Sequence, residues 1–167
     1  MQHLWREPRF RFVLTMTLFG VALWMVFRDA ILGPFLTPMR ALTAEGTLWL
    51  IHQTGLDGFR QANFIFHSSG FGIEITRGCT GFAGAAVLAA GIVAYPSGAV
   101  RARSLGIILG IPVFVGVNLI RMTHLYHLGV SGSPFFNTAH EVVWQLGMMV
   151  AVFVLWVVWV GWNERRT

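Results

Sequence analysis

The sequence predicts an all-α integral membrane protein with about four transmembrane helices, an extracytoplasmic amphipathic helix and a short β-hairpin. Three observations carry this expectation. The 167 residues are 55% hydrophobic and only 11% charged, whereas a soluble domain carries about a quarter charged residues. The charges fall between long apolar runs rather than within them. The twelve basic residues, all arginine, sit in short clusters between those runs, which is the positive-inside arrangement of a multi-pass membrane protein. A formal charge of +5 spread in this way forms no single patch, so no nucleic-acid partner is expected and the lipid bilayer is. The single cysteine, Cys79, excludes an internal disulfide and a Cys-rich zinc site.

Four uncharged runs cover 12–27, 78–100, 104–120 and 142–163. They reach or approach the roughly 17 to 25 residues needed to cross a bilayer. The expected spans are 12–27, 80–98, 104–121 and 142–162, within a single domain over 1–167. The first run follows Arg6, Arg9 and Arg11 and ends in "WMVFRDA", which offers no small-x-small cleavage site. It reads as an uncleaved anchor rather than a signal peptide.

Between the first two runs, "TPMRALTAEGTLWLIHQTG" has Thr37 placed as an N-cap, Pro38 at the first helical position and Gly55 just past the end. Arg40 and Glu45 exclude a span there, which puts this helix on the outer surface. Next, "NFIFHSSGFGIEIT" alternates as two short strands turning at Ser69 and Gly70. The second strand leads directly into Arg77, Gly78 and Cys79. The clusters Arg6/Arg9/Arg11, Arg101/Arg103 and Arg165/Arg166 place both termini in the cytoplasm. Segments 28–77 and 121–141 then face outward. Trp5, Trp156, Trp159 and Trp162 are expected to form the cytoplasmic aromatic belt.

This topology brings three polar residues to one membrane face on different helices: Cys79, Arg121 and His140. Interfacial Arg and His also occur as anchors that snorkel to head groups, so each alone says little. The surroundings of the cysteine say more. A helix N-terminus and a nearby cation both favour a thiolate. Thr80, Gly81 and Phe82 are expected to open a helix with their N–H groups toward the sulfur, and Arg77 lies two residues back. Gly78 and Gly81 allow a substrate backbone to approach closely. On the third span, Asn118, Arg121 and His124 recur every three residues and are read as one helical face. Arg121 stays charged at any working pH and can hold a thiolate or an oxyanion. His140 is the preferred proton carrier and His124 a rival. His52, His67, His124, His127 and His140 all lie in outer segments rather than facing one another in a bundle, so no haem, metal or other cofactor is expected.

These are the residues on which the chain resembles the exosortase and archaeosortase family of membrane-embedded cysteine transpeptidase-like enzymes. "ITRGCTGF" resembles the family's cysteine block, "NLIRMTHL" its Asn-x-x-Arg block and "FFNTAHEVVWQ" its histidine block before a last span. The blocks occur in the same order, over roughly residues 35–160, and the compact length looks closest to the exosortase H subgroup. The resemblance implies a catalytic Cys79, Arg121 and His140, supported by Arg77, Gly78, Gly81, Asn118 and His124. It implies partners that are exported proteins ending in a motif, a hydrophobic helix and a basic tail. The function expected is cleavage or transpeptidation of such sorting signals at the outer face of the cytoplasmic (inner) membrane. A non-enzymatic assembly or binding factor for exported proteins is the alternative.

Overall fold

The computed structural model describes residues 8–26, 33–96 and 99–165. Trp5, Arg6, Arg28 and Arg166 lie outside the described residues. In chain order the elements are α1 (Pro8–Val26), α2 (Gly33–Gln53), strands β1 (Phe59–Gln61), β2 (Phe64–Phe66) and β3 (Gly72–Glu74), a 3-10 turn at Arg77–Cys79, α3 (Phe82–Ala94), α4 (Val100–Val130) and α5 (Phe136–Glu164).

Two helices, α4 and α5, are long and apolar enough to cross a membrane. At 1.5 Å per residue each is roughly 45 Å long, well beyond a hydrocarbon core of about 30 Å. Their outward faces are apolar: Ile108, Leu109 and Val113 on α4, and Leu146, Val150 and Phe153 on α5, are all exposed. Side chains of this kind cover a surface solvated by lipid, not by water. The other two apolar stretches are shorter, Phe12–Val21 within α1 and the thirteen residues of α3. Within the run expected to span 80–98, α3 is bounded by Gly81, in the left-handed region at φ 71°, and by Tyr95, already extended.

Charged and glycine residues set the remaining boundaries, with some differences from the sequence expectation. Helix α2 begins at Gly33, so Thr37 is not its N-cap and Pro38 lies inside the helix. Pro38 is only six residues in, where its missing N–H forfeits a single first-turn bond. Gly55 does follow the end, at φ 81°, with its N–H on His52 O. The buried stripe of α2 is Leu36, Thr43, Ala44, Thr47 and Ile51, while Leu42 and Trp49 are exposed. Two polar threonines therefore face the protein beside Leu36, Ala44 and Ile51, while the large apolar Leu42 and Trp49 face outward.

The hairpin is a three-stranded antiparallel sheet in the order β1-β2-β3. Ile65 pairs with Ile73 and both are buried; Phe59, Phe64 and Phe66 stack on the opposite face. The β2–β3 connection is not a two-residue turn. Strand pairing ends at Phe66 and Gly72, and His67 N–H then closes on Phe71 O at 2.8 Å, with Gly70 at φ 91° supplying the reversal. Strand β1 escaped the sequence reading because its turn is Ala62-Asn63, and Ala62 at φ 53° is a residue type that signals no turn.

Two cores result. An outer one joins α2, the sheet, Cys79, the upper part of α4 and Ala139 through Ile51, Ile65, Ile75, Leu125 and Tyr126. An inner one packs α3, α4 and α5 through Leu88, Ile92, Phe114 and Trp159. At the inner ends Arg103 Nη2 donates to Tyr95 O (2.8 Å) and Trp159 Nε1 to Ala102 O (3.0 Å). Trp159 is thus a core residue packed over Gly106, where any Cβ would collide with the indole, and not a member of an interfacial belt.

Candidate active site

Cys79 is delivered by a short, heavily bonded path. Ile75 N–H donates to Asn63 O (2.8 Å), extending the sheet by one bond beyond β3. Arg40 of α2 donates through Nε to Ile75 O (2.9 Å) and pairs with Glu74 (3.2 Å). The chain then tightens: Cys79 N–H donates to Thr76 O (3.0 Å), and Thr80 sends both its N–H (3.3 Å) and its hydroxyl (2.8 Å) to Arg77 O. Gly81 turns the chain into α3 in a conformation that an L side chain resists.

This corrects the expected surroundings of the sulfur. The first residue of α3 is Phe82, three beyond Cys79. Of the three N–H groups expected to point at the thiol, that of Thr80 is taken by Arg77 O and that of Phe82 by Thr80 Oγ1 (3.3 Å). Thr76 Oγ1 approaches Sγ at 3.3 Å and Glu74 O at 4.0 Å. Cys79 itself is buried, 6% exposed.

Helix α4 continues nine residues past Arg121 to Val130, so Arg121 is enclosed by the outer core rather than lying at a helix end. Asn118, fully buried, donates through Nδ2 to Cys79 O (2.7 Å). Its side chain also packs on Gly81, where a Cβ would come within 3.1 Å of Asn118 Cγ. Asn118 Oδ1 and Arg121 Nε are buried and have no hydrogen-bond partner among the described residues. Arg121 is only 7% exposed. Leaving such a group unpaired costs about 1–3 kcal/mol, more for a charged one, so two on adjacent turns of one helix make this a candidate site.

A cavity of ≈ 510 Å³ lies beside these groups, with Arg77, Gly78, Gly81, Arg121 and Gln145 among its lining residues. Gly78 and Gly81 bracket the cysteine, and Gln145 comes from α5. Cys79 is not among the lining residues, and neither is His140. His140 lies in a π-helical segment, Ala139–Val143, within α5, with its ring parallel to that of Phe136 at 6.1 Å. Single π turns of this sort recur at functional sites because they re-aim a side chain without ending the helix.

His124 leaves the face that it was expected to share. Each three-residue step turns about 300°, so six residues displace it by about 120° from Asn118, and it is exposed. Its Nδ1 accepts from Trp144 Nε1 at 2.9 Å; because an indole N–H can only donate, that nitrogen is unprotonated. Three further histidines act as fasteners: His127 Nε2 with Thr54 Oγ1 (2.8 Å), His67 Nε2 with Asp57 (2.6 Å) and His52 Nε2 with Gly58 O (3.1 Å).

Sequence reasoning missed Thr76, Trp144 and Gln145. Only Gln145 carried a signal, as a polar side chain opening an apolar run. The arrangement places a buried guanidinium with an unused donor and side-chain-free backbone on one cavity, and a buried thiol with an adjacent hydroxyl between the two glycines of that backbone; these are the ingredients of acyl transfer. Comparisons with curated proteins and with solved structures found no match. The model of the transmembrane exosortase (EpsH) family matches residues 5–160, a range that takes in every residue of the site. The chain belongs to the transmembrane exosortase family, whose members are membrane-embedded, generally cysteine transpeptidase-like proteins concerned with the processing of sorting signals.

Proposed function

We propose that the chain is a membrane-embedded cysteine endopeptidase or transpeptidase that cleaves C-terminal sorting signals of exported proteins. It crosses the inner membrane four times with both termini in the cytoplasm, and its Cys-Arg-His site opens on the outer face. The observation that carries this reading is the buried Arg121, with an unpaired Nε, on the same cavity as the two glycines that bracket Cys79.

The Cys79 thiolate attacks the scissile carbonyl, forming a C–S bond and a tetrahedral oxyanion. Arg121 stabilises that charge, which is present only at the transition state and intermediate. Collapse of the intermediate breaks the C–N bond. The departing amine takes a proton from His140 and leaves with the hydrophobic helix and basic tail, while the exported portion remains as a thioester on Cys79. His140 then removes a proton from water or an acceptor amine, which attacks the thioester; the C–S bond breaks and the Cys79 thiolate is restored with His140 again protonated.

The test is capture of the thioester. A co-expressed exported protein ending in motif, apolar helix and basic tail should form a hydroxylamine-sensitive adduct with the wild-type chain and none with Cys79→Ala. Wild-type processing by Cys79→Ala would overturn the reading. Equal, adduct-free binding by both chains would assign the surface to assembly or binding instead.

A further inference from the structure

We infer that the outer part of the groove between α3 and α5 receives the apolar helix of the substrate, and that α1 closes the groove from below. This rests on the proposed cleavage of a helix-bearing signal and says where that helix lies. The cavity lined by Gly78, Gly81 and Arg121 is not polar throughout. From Arg121 and Gln145 it runs along α3 past Ala83 and Val87, and along α5 past Met148, Met149 and Val152. Gln145, Met148, Met149 and Val152 recur at three- and four-residue intervals, which makes them one face of α5. The groove opens sideways where the bilayer would lie, since Met149 is 68% exposed and Val87 40%.

Val87, Met149 and Val152 also line a second cavity of ≈ 240 Å³, and there Phe12 and Met16 of α1 form the facing wall. The two cavities therefore adjoin through these three side chains and together line one trough, with α1 walling its lower part. From Gly81 to Gly91 it follows ten residues of α3, about 15 Å, or half of a hydrocarbon core of about 30 Å.

The chemistry along the trough changes in the order in which a cleavable signal would change. Its outer end offers glycine backbone and the unpaired, nine-tenths-buried Arg121, suited to an extended peptide with a carbonyl to be polarised. Its deeper part is apolar, with two adjacent methionines able to repack around differing helices, and Ala83 leaves space for close helix approach. An acyl chain would fit the apolar part alone, but one seated there with its head group on Arg121 would stand across the approach to Cys79.

The experiment uses the full-length membrane-embedded chain and, as probe, a secreted reporter fused to a tail of motif, apolar helix and arginines from the same genome. Ala83→Trp and Met149→Trp should each lower reporter processing about 10²-fold, the scale of loss when a scissile bond is misplaced by an ångström. Val150→Trp, one residue away on an exposed face that lines neither cavity, should process normally. Because a bulky variant can misfold, a second measurement places a photo-crosslinking residue at Met149 or Val150 in the Cys79→Ala chain. Crosslinking to the reporter tail from position 149 and not from 150 supports the groove. Crosslinks from 149 only to lipid, or equally from both positions, overturn it, as does normal processing by both groove-filling variants. If Cys79→Ala itself processes the reporter, the proposed reaction fails. If Cys79 is required and the groove variants are silent, this inference alone fails.

Discussion

Asn118 and Arg121 are the residues whose roles depend most on burial. Asn118 spends its amide on Cys79 O and Arg121 keeps an unpaired Nε beside the cavity. Arg121→Lys is expected to lower processing about 10²-fold or more although the charge is kept, because a flexible point charge cannot replace a planar fork aimed at an oxyanion. Wild-type rates in that variant, measured as cleaved reporter at matched expression, would reduce Arg121 to an anchor. His140→Ala should lower processing by about 10² to 10⁴, the range of a general acid or base. His124→Ala should cost far less, since that ring is exposed and its Nδ1 is held by Trp144. The reverse order of losses would transfer the proton to His124. The three block residues could be read from the chain because Cys, Arg and His are conspicuous at the edges of apolar runs. The Asn118–Cys79 bond could not, since its partners lie 39 residues apart.

At the scale of elements, the turn from Thr76 to Gly81 is set by contacts from both sides. Gly81→Ala should destabilise it by about 1–2 kcal/mol from the left-handed backbone alone, and Asn118 leaves little room for the added carbon. A lower thermal midpoint in detergent, together with weaker thiol protection at Cys79, would register this; an unchanged midpoint would count against it. Helix α2 acts on the same turn through Arg40. Its ion pair with Glu74 is largely solvent-exposed and worth about 0–1 kcal/mol, so Glu74→Gln should be nearly silent. Arg40→Ala also removes the bond to Ile75 O and should lower processing. Equal effects of the two substitutions would show that the ion pair, not the backbone bond, is what matters. The existence of α2 and of the β2–β3 hairpin was legible in the sequence because each carries a strong local pattern and a glycine at its reversal. Their boundaries were not: α2 starts at Gly33 rather than at Thr37-Pro38, and β1 turns into β2 at Ala62-Asn63.

For the whole molecule, the arginine clusters predict that a reporter joined after Thr167 is active only in the cytoplasm, and one inserted at Ser69 only outside. Activity in the opposite compartments would separate Cys79, Arg121 and His140 from the proposed face. By itself, the sequence determined what depends on composition and short-range order: a membrane chain, its long apolar helices, a segment of helix and hairpin between the first two apolar runs, and the family's three blocks. These follow from apolar run length and from the refusal of charge to enter hydrocarbon, both additive along the chain. Only the tertiary structure decided that Thr43, Ala44, Thr47 and Ile51 face inward while Trp49 faces out, that Trp159 belongs to the inner core, and that His124 turns away from Asn118. It also decided that Gly78, Gly81, Arg121 and Gln145 share a cavity. Those outcomes depend on which faces of α2, α3, α4 and α5 meet, and a helix with apolar side chains all round does not specify its buried face until its neighbours are in place.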